Sequence, residues 1–201
     1  MSLITICNRL AANVGIETTS QVMTSSDRTW LEAVAMSNAV GEEITRRADF
    51  GALFKTATLT GDGTDQTFDL GTGFSRIIAG IGVIYNGATV RPLTHAEWAS
   101  LDAVEGSPRY FLLEGAKLRL WPYLATGETV TVRYQSKNWC SNGTAAWVAD
   151  TDTALVNEDL MAKGLIVRWR RQKGMDYQDY EQEYEAALAD ISRFDDRSRI
   201  D

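Results

Sequence analysis

Between Tyr177 and Ile191 the apolar positions recur at intervals of three and four: Tyr177, Tyr180, Tyr184, Ala187, Leu188 and Ile191. Asp179, Glu181, Glu183, Glu185 and Asp190 fall mostly off that stripe. This is the period of one helical face, so the tyrosines are expected to pack and the carboxylates to face water. A second helix is predicted just upstream. Glu158 and Asp159 stand in its first turn, Arg168, Arg170, Arg171 and Lys173 in its last, and Gly174 stops it, as the helix dipole favours. Asp176 opens the tyrosine helix, and Leu160 to Arg193 therefore reads as an αα-hairpin with a very short turn. Gly164 interrupts a good helix at a cost of ~1 kcal/mol relative to alanine, which suits a place where another helix comes close. At the other end of the chain Ile4, Cys7, Leu10, Ala11 and Val14 form a short stripe ended by Gly15. Asp27 then caps a helix carrying Trp30, Ala33, Ser37, Val40, Ile44 and Ala48, over Arg28 to Ala48.

From Phe54 the texture changes to Thr, Val, Ile, Tyr and Phe punctuated by Gly and Asp, the pattern of short antiparallel strands. One hairpin is expected to turn at Gly61-Asp62-Gly63 and another around Gly115, and Asn86-Gly87 is expected to make a type I′ turn because both residues tolerate positive φ. Thr94 and Glu97 stand in the spacing of a capping box at the start of a short helix. Val130, Val132 and Tyr134 alternate along a closing strand. The fold class is α+β: a small helical bundle of two N-terminal and two C-terminal helices with an inserted antiparallel β-rich region. Its parts are the N-terminal helices (1–53), the β-rich insertion (54–137), a loop with the C-terminal helical hairpin (138–193), and a C-terminal tail (194–201).

Composition narrows what such a fold does. With 20 basic against 27 acidic residues the net charge is -7, which disfavours sequence-independent binding of nucleic acid, because that affinity comes mainly from neutralising phosphates. Cys7 and Cys140 are the only cysteines and carry neither a metal nor a disulfide signature, which suits a reducing compartment. The N-terminus has no basic n-region, and no stretch approaches 18 apolar residues, so neither a signal peptide nor a membrane span is expected.

Chemistry-bearing motifs are weak. His95 is the only histidine and lies in the first turn of a capped helix, a surface or capping position rather than a catalytic one. Asp150 to Asp159 resembles a calcium loop only until Ala154, Leu155 and Met161 stand where an oxygen ligand, a glycine and a glutamate are required. The glycine-rich "GDGTDQ" and "GTGFSR" continue to no phosphate-binding pattern and read as turns. The carboxylate pairs Asp62/Asp65 and Asp150/Asp152 could serve a glycosidase, but hydrophilic turns contain such pairs routinely. Trp121, Trp139 and Trp147 could stack sugars or bases, and more commonly fill cores or interfaces. No catalytic residue, metal or cofactor is predicted.

Several pieces, taken in order, resemble the head-tail adaptor (connector) proteins of tailed bacteriophages. They are "ICNRLAANVGI", "GEEITRRADFGALFKTATLT", "RPLTHAEW", "SKNWC" and "DTDTALVNEDLMAKGLIVRWRRQKGMDYQDYEQEYEAAL". The resemblance covers nearly the whole chain, and its most specific piece is the last. It implies a structural virion protein, made in the host cytoplasm, that forms a ring of usually twelve subunits between the portal protein and tail or nozzle proteins. DNA would pass through the channel of that ring without specific binding, and no membrane is involved. After Ile191 the apolar stripe stops, and "RFDDRSRID" holds Phe194 and Ile200 as its only large apolar groups. A segment so polar orders itself only against a partner. Arg193, Arg197 and Arg199 can pair with carboxylates and Phe194 can fill a pocket, with Ile200 beside them, which is the composition of an interface anchor. By analogy with the adaptors, this tail is expected to dock on the portal ring. The alternatives are a non-catalytic β-rich module that binds sugar or protein, and an unrecognised hydrolase.

Overall fold

The structure is a computed structural model that describes residues 2–197, with side chains through Ile191. In chain order its elements are α1 (Leu3–Val14), α2 (Arg28–Arg47), a 3-10 turn (Gly51–Leu53), β1 (Phe54–Thr60), β2 (Phe68–Asp69), β3 (Phe74–Ile77), β4 (Val83–Tyr85), β5 (Ala88–Thr89), β6 (Arg91–Pro92), α3 (His95–Trp98), β7 (Tyr110–Glu114), β8 (Lys117–Trp121), β9 (Thr129–Ser136), α4 (Glu158–Gln172) and α5 (Gln178–Arg197). The chain is α+β and divides into two compact units. One joins Met1–Leu53 to Lys137–Asp201, and the other is Phe54–Ser136.

In the helical unit α4 is central, packing against α1, α2 and α5, whereas α1 and α2 barely touch each other. The predicted ends are in place. Asp27 accepts the Thr29 N–H at 2.8 Å to start α2, and Asn157 accepts the Leu160 N–H at 3.0 Å to start α4. Gly15 ends α1 at φ 75°. A Cβ on Gly164 would lie 2.6 Å from Val40 Cγ1 and 3.0 Å from Tyr184 Cε2, so three helices meet where only hydrogen fits. Gly41 plays the same part on α2 against Trp139, whose indole is wholly buried. Trp139 meets Trp147 edge-on at 4.8 Å, and the Trp147 indole N–H donates to Ser37 Oγ at 2.8 Å. Of the three tryptophans considered for stacking, these two are core residues.

The loop carrying both tryptophans is tied down by its carboxylates. Asp150 accepts the N–H groups of Val22 and Met23 at 3.1 and 2.8 Å; Asp152 accepts those of Val148 and Ala149 at 2.7 and 2.8 Å, and Asn142 Nδ2 at 2.8 Å. Burial alone would raise the Asp152 pKa, but these donors hold it below the ordinary aspartate value. The segment that looks like a calcium loop is thus a hydrogen-bonded brace.

The β unit contains two sheets. In the first, β9 is the hub, pairing antiparallel with β1 along seven residues from Phe54↔Gln135 to Thr60↔Thr129, and with β3 and β4. The second runs β2-β8-β7-β6, and β6 pairs parallel to β7, an exception to the antiparallel pattern expected. The Asn86-Gly87 turn has φ 47° and 78° and joins β4 to β5, as its residues predict. The Gly115 hairpin of β7 and β8 and the Thr94/Glu97 capping box also form. The expected hairpin at Gly61-Asp62-Gly63 does not. Strand β1 pairs with β9 and β2 with β8, in different sheets. Burying Leu59 against Val130 and Ala57 against Val132 outweighs local closure. Gly61 instead bonds to the chain at Gly127 and Glu128, and a Cβ there would stand 2.4 Å from Leu124 Cβ.

Candidate partner-binding site

The five residues expected to anchor a partner belong to the end of the chain. Arg193, Phe194 and Arg197 lie on the last turns of α5, whose backbone is helical through Arg197, beyond the boundary expected at 194. Arg199 and Ile200 lie outside the described residues. The chemistry that can be built here is therefore that of the helix presenting them. At 20 residues α5 is about 30 Å long.

The inner face of α5 is the predicted stripe. Tyr184 and Leu188 are buried in the helical core, and Tyr180, Ala187 and Ile191 pack partly against it. Ring-stacked arginines hold its first turns. The Arg170 guanidinium lies 4.1 Å from the Tyr180 ring centroid and that of Arg171 4.8 Å from Tyr177. Arg170 also donates to Asn13 Oδ1 at 2.9 Å and to the Asp176 carbonyl at 3.0 Å, bracing the α4–α5 turn against α1. The arginine block thus complements the helix dipole and clamps neighbouring helices.

Charge fastens the middle of α5. Arg47 on α2 forms a two-pronged pair with Glu185, one contact at 2.7 Å, and also meets Glu43 at 3.1 Å. Glu43 receives Arg168 of α4 at 2.6 Å, so a chain Arg168–Glu43–Arg47–Glu185 crosses three helices. Arg171 pairs with Glu181, and Lys173 reaches Glu32 at 2.6 Å. The Arg47 guanidinium holds the Glu185 carboxyl below its ordinary value, and Lys173 with Arg28 does the same for Glu32. Near this network the Tyr184 hydroxyl is buried with no hydrogen-bond partner among the described residues; burial, with Glu43 nearby, pushes its pKa up to about 12. The pairs Arg47–Glu185, Arg168–Glu43 and Lys173–Glu32 escaped the sequence reading because their partners lie 125 to 141 residues apart. The local signals were the i,i+4 pairs Glu43/Arg47 and Arg28/Glu32.

Groups that could do covalent chemistry are muted. Burial pushes the Cys7 thiol up to about 12, helped by Asp150, and raises Cys140, so neither offers a thiolate near neutrality. His95 is exposed, its Nδ1 3.6 Å from Glu114 Oε1, in the capped helix where the sequence puts it. Among the described residues no helix is long and apolar enough to cross a membrane.

Comparison with known families gives one description: the model for SU10 adaptor protein matches residues 1–201. No curated protein matches the chain.

Proposed function

Because this chain belongs to the SU10 adaptor protein family, a family of phage head-tail adaptors, we propose that it forms a ring between portal and tail and docks on the portal through the end of α5. The family is structural rather than catalytic, and its role as an adaptor implies virion partners. The finer reading has a ring, of twelve subunits in adaptors of this kind, with the portal protein on one side and tail or nozzle proteins on the other. Arg193, Phe194, Arg197, Arg199 and Ile200 form the portal anchor.

The observation that carries this reading is the continuity of α5. Its first half is fixed to α2 and α4 by the tyrosine stripe and the Arg168–Glu43–Arg47–Glu185 chain, and the same helix runs on through Arg197. A helix clamped at its root delivers its last turns to a partner with little loss of conformational freedom, which favours tight docking. The net charge of -7 suits a channel through which DNA slides without adhering.

Deleting Phe194 to Asp201 tests the anchor. The truncated protein is expected to keep its melting temperature and its ring mass by native mass spectrometry, yet to be lost from portal-bearing heads on sedimentation. Co-sedimentation at wild-type stoichiometry would move the docking surface to the folded body, and a monomeric wild-type mass alongside portal would sink the ring itself.

A further inference from the structure

Four aromatic side chains of the β unit stay half-buried around one small cleft, and the adaptor role uses none of them. The cleft, about 100 Å³, lies between the second sheet and α3, and Trp98, Trp121 and Tyr123 line it together with Arg119 and Asp65. Tyr110, on the neighbouring strand, backs Trp121 with ring centroids 5.9 Å apart. The rings are held in place. The Trp121 indole N–H donates to the Asp102 carbonyl at 2.8 Å, and the Arg119 guanidinium sits 5.2 Å from the Trp98 ring centroid. Arg119 also pairs with Asp65, and both side chains remain about a third exposed, at 29% and 32%.

We propose that this cleft is a saccharide-binding subsite. Indole and phenol rings that are fixed yet partly wet offer flat apolar faces to the C–H side of a pyranose. The polar group beside them is an ion pair with no net charge. An anion would have to expel Asp65 and a cation Arg119, whereas sugar hydroxyls donate to the carboxylate and accept from the guanidinium while the pair stays intact. The cleft falls below the several hundred Å³ of pockets that engulf a ligand. It therefore admits one arm of a sugar, such as a hydroxymethyl or N-acetyl group, while the ring rests on Trp121 and Tyr123 at the mouth. Binding is weak and gains from repetition, as ring-shaped display would provide. The subsite lies wholly within the β unit, and its chemistry stands whether or not α5 docks on a portal.

The test is titration of the full-length protein with chitohexaose and, separately, maltohexaose, following tryptophan emission and saturation-transfer NMR. At least one of the two is expected to bind saturably in the millimolar range, with Trp121→Ala abolishing the signal. Asp65→Asn is expected to weaken binding about tenfold with little change in the melting temperature, since both side chains of the pair keep contact with water. That variant carries the test should Trp121→Ala fail to fold. No saturable change with either oligosaccharide up to its solubility limit overturns the proposal, as does binding that survives both substitutions.

Discussion

Replacing Gly41 by alanine opposes two effects of known sign. Helix propensity alone favours the change by ~1 kcal/mol, because α2 continues for several residues on either side of Gly41. Packing opposes it. The added Cβ would lie 2.3, 2.5 and 2.7 Å from Cε2, Cζ2 and Cδ2 of Trp139. Those atoms belong to a rigid ring, fully buried and blocked on one side by Trp147, so no flexible end can swing away. Overpacking typically costs ~1–3 kcal/mol, and three ring contacts put this site at the upper end. The net expectation is a loss of about 2 kcal/mol. At ~2–4 °C per kcal/mol for a chain of this size, the melting temperature falls by about 4–8 °C. Urea unfolding followed by circular dichroism at 222 nm measures the loss directly. An unchanged or more stable Gly41→Ala protein would mean that the indole does not lie across α2 at Gly41, and the account of the helical core would be wrong.

Tyr184→Phe keeps the ring against Gly164 and removes a buried hydroxyl that has no hydrogen-bond partner among the described residues, so it is expected to be neutral or to stabilise by roughly 1 kcal/mol in urea unfolding. A clear loss would reveal an acceptor for that hydroxyl. Glu185, held by Arg47 below the ordinary glutamate value, contributes stability that is present above that ordinary value and lost as pH falls through its lowered folded-state value. Wild type is therefore expected to be more stable than Glu185→Gln at pH 7, with the gap closing as pH falls through that lowered value, as read by thermal melts along a pH series; a gap of constant size would assign the effect to packing.

Local signals in the sequence were reliable where one segment decides its own structure. Asp27, the Asn86-Gly87 turn, the Thr94/Glu97 box and the Gly115 hairpin all depend on residues a few positions apart, and all form. The tyrosine stripe and the close approach at Gly164 were legible because helical period and a misplaced glycine both report on packing. The failure at Gly61-Asp62-Gly63 has the opposite cause. Turn chemistry there is real, with Asp62 accepting the Thr64 N–H at 2.9 Å, but the strand before it finds its partner about seventy residues later. Cross-strand burial of Leu59 and Ala57 is a property of two segments, and neither announces the other. The clamp on α5 was hidden for the same reason, since nothing near Glu185 in the sequence points to Arg47. Trp98, Trp121 and Arg119 come together only because α3 lies against the second sheet, which no spacing along the chain encodes.

The split of the helical unit between the two ends of the chain sets a timetable for its synthesis. Helices α1 and α2 emerge from the ribosome first, but the surface that covers their apolar faces is α4, which begins only at Glu158. Every strand from Phe54 to Ser136 has been made by then, so the β unit has all its partners while Leu10, Val40 and Ile44 still lack theirs. A prematurely terminated chain would therefore expose sticky helices tethered to a finished β unit, ready for capture by chaperones or proteases. Only a chain synthesised past α4 can conceal those faces.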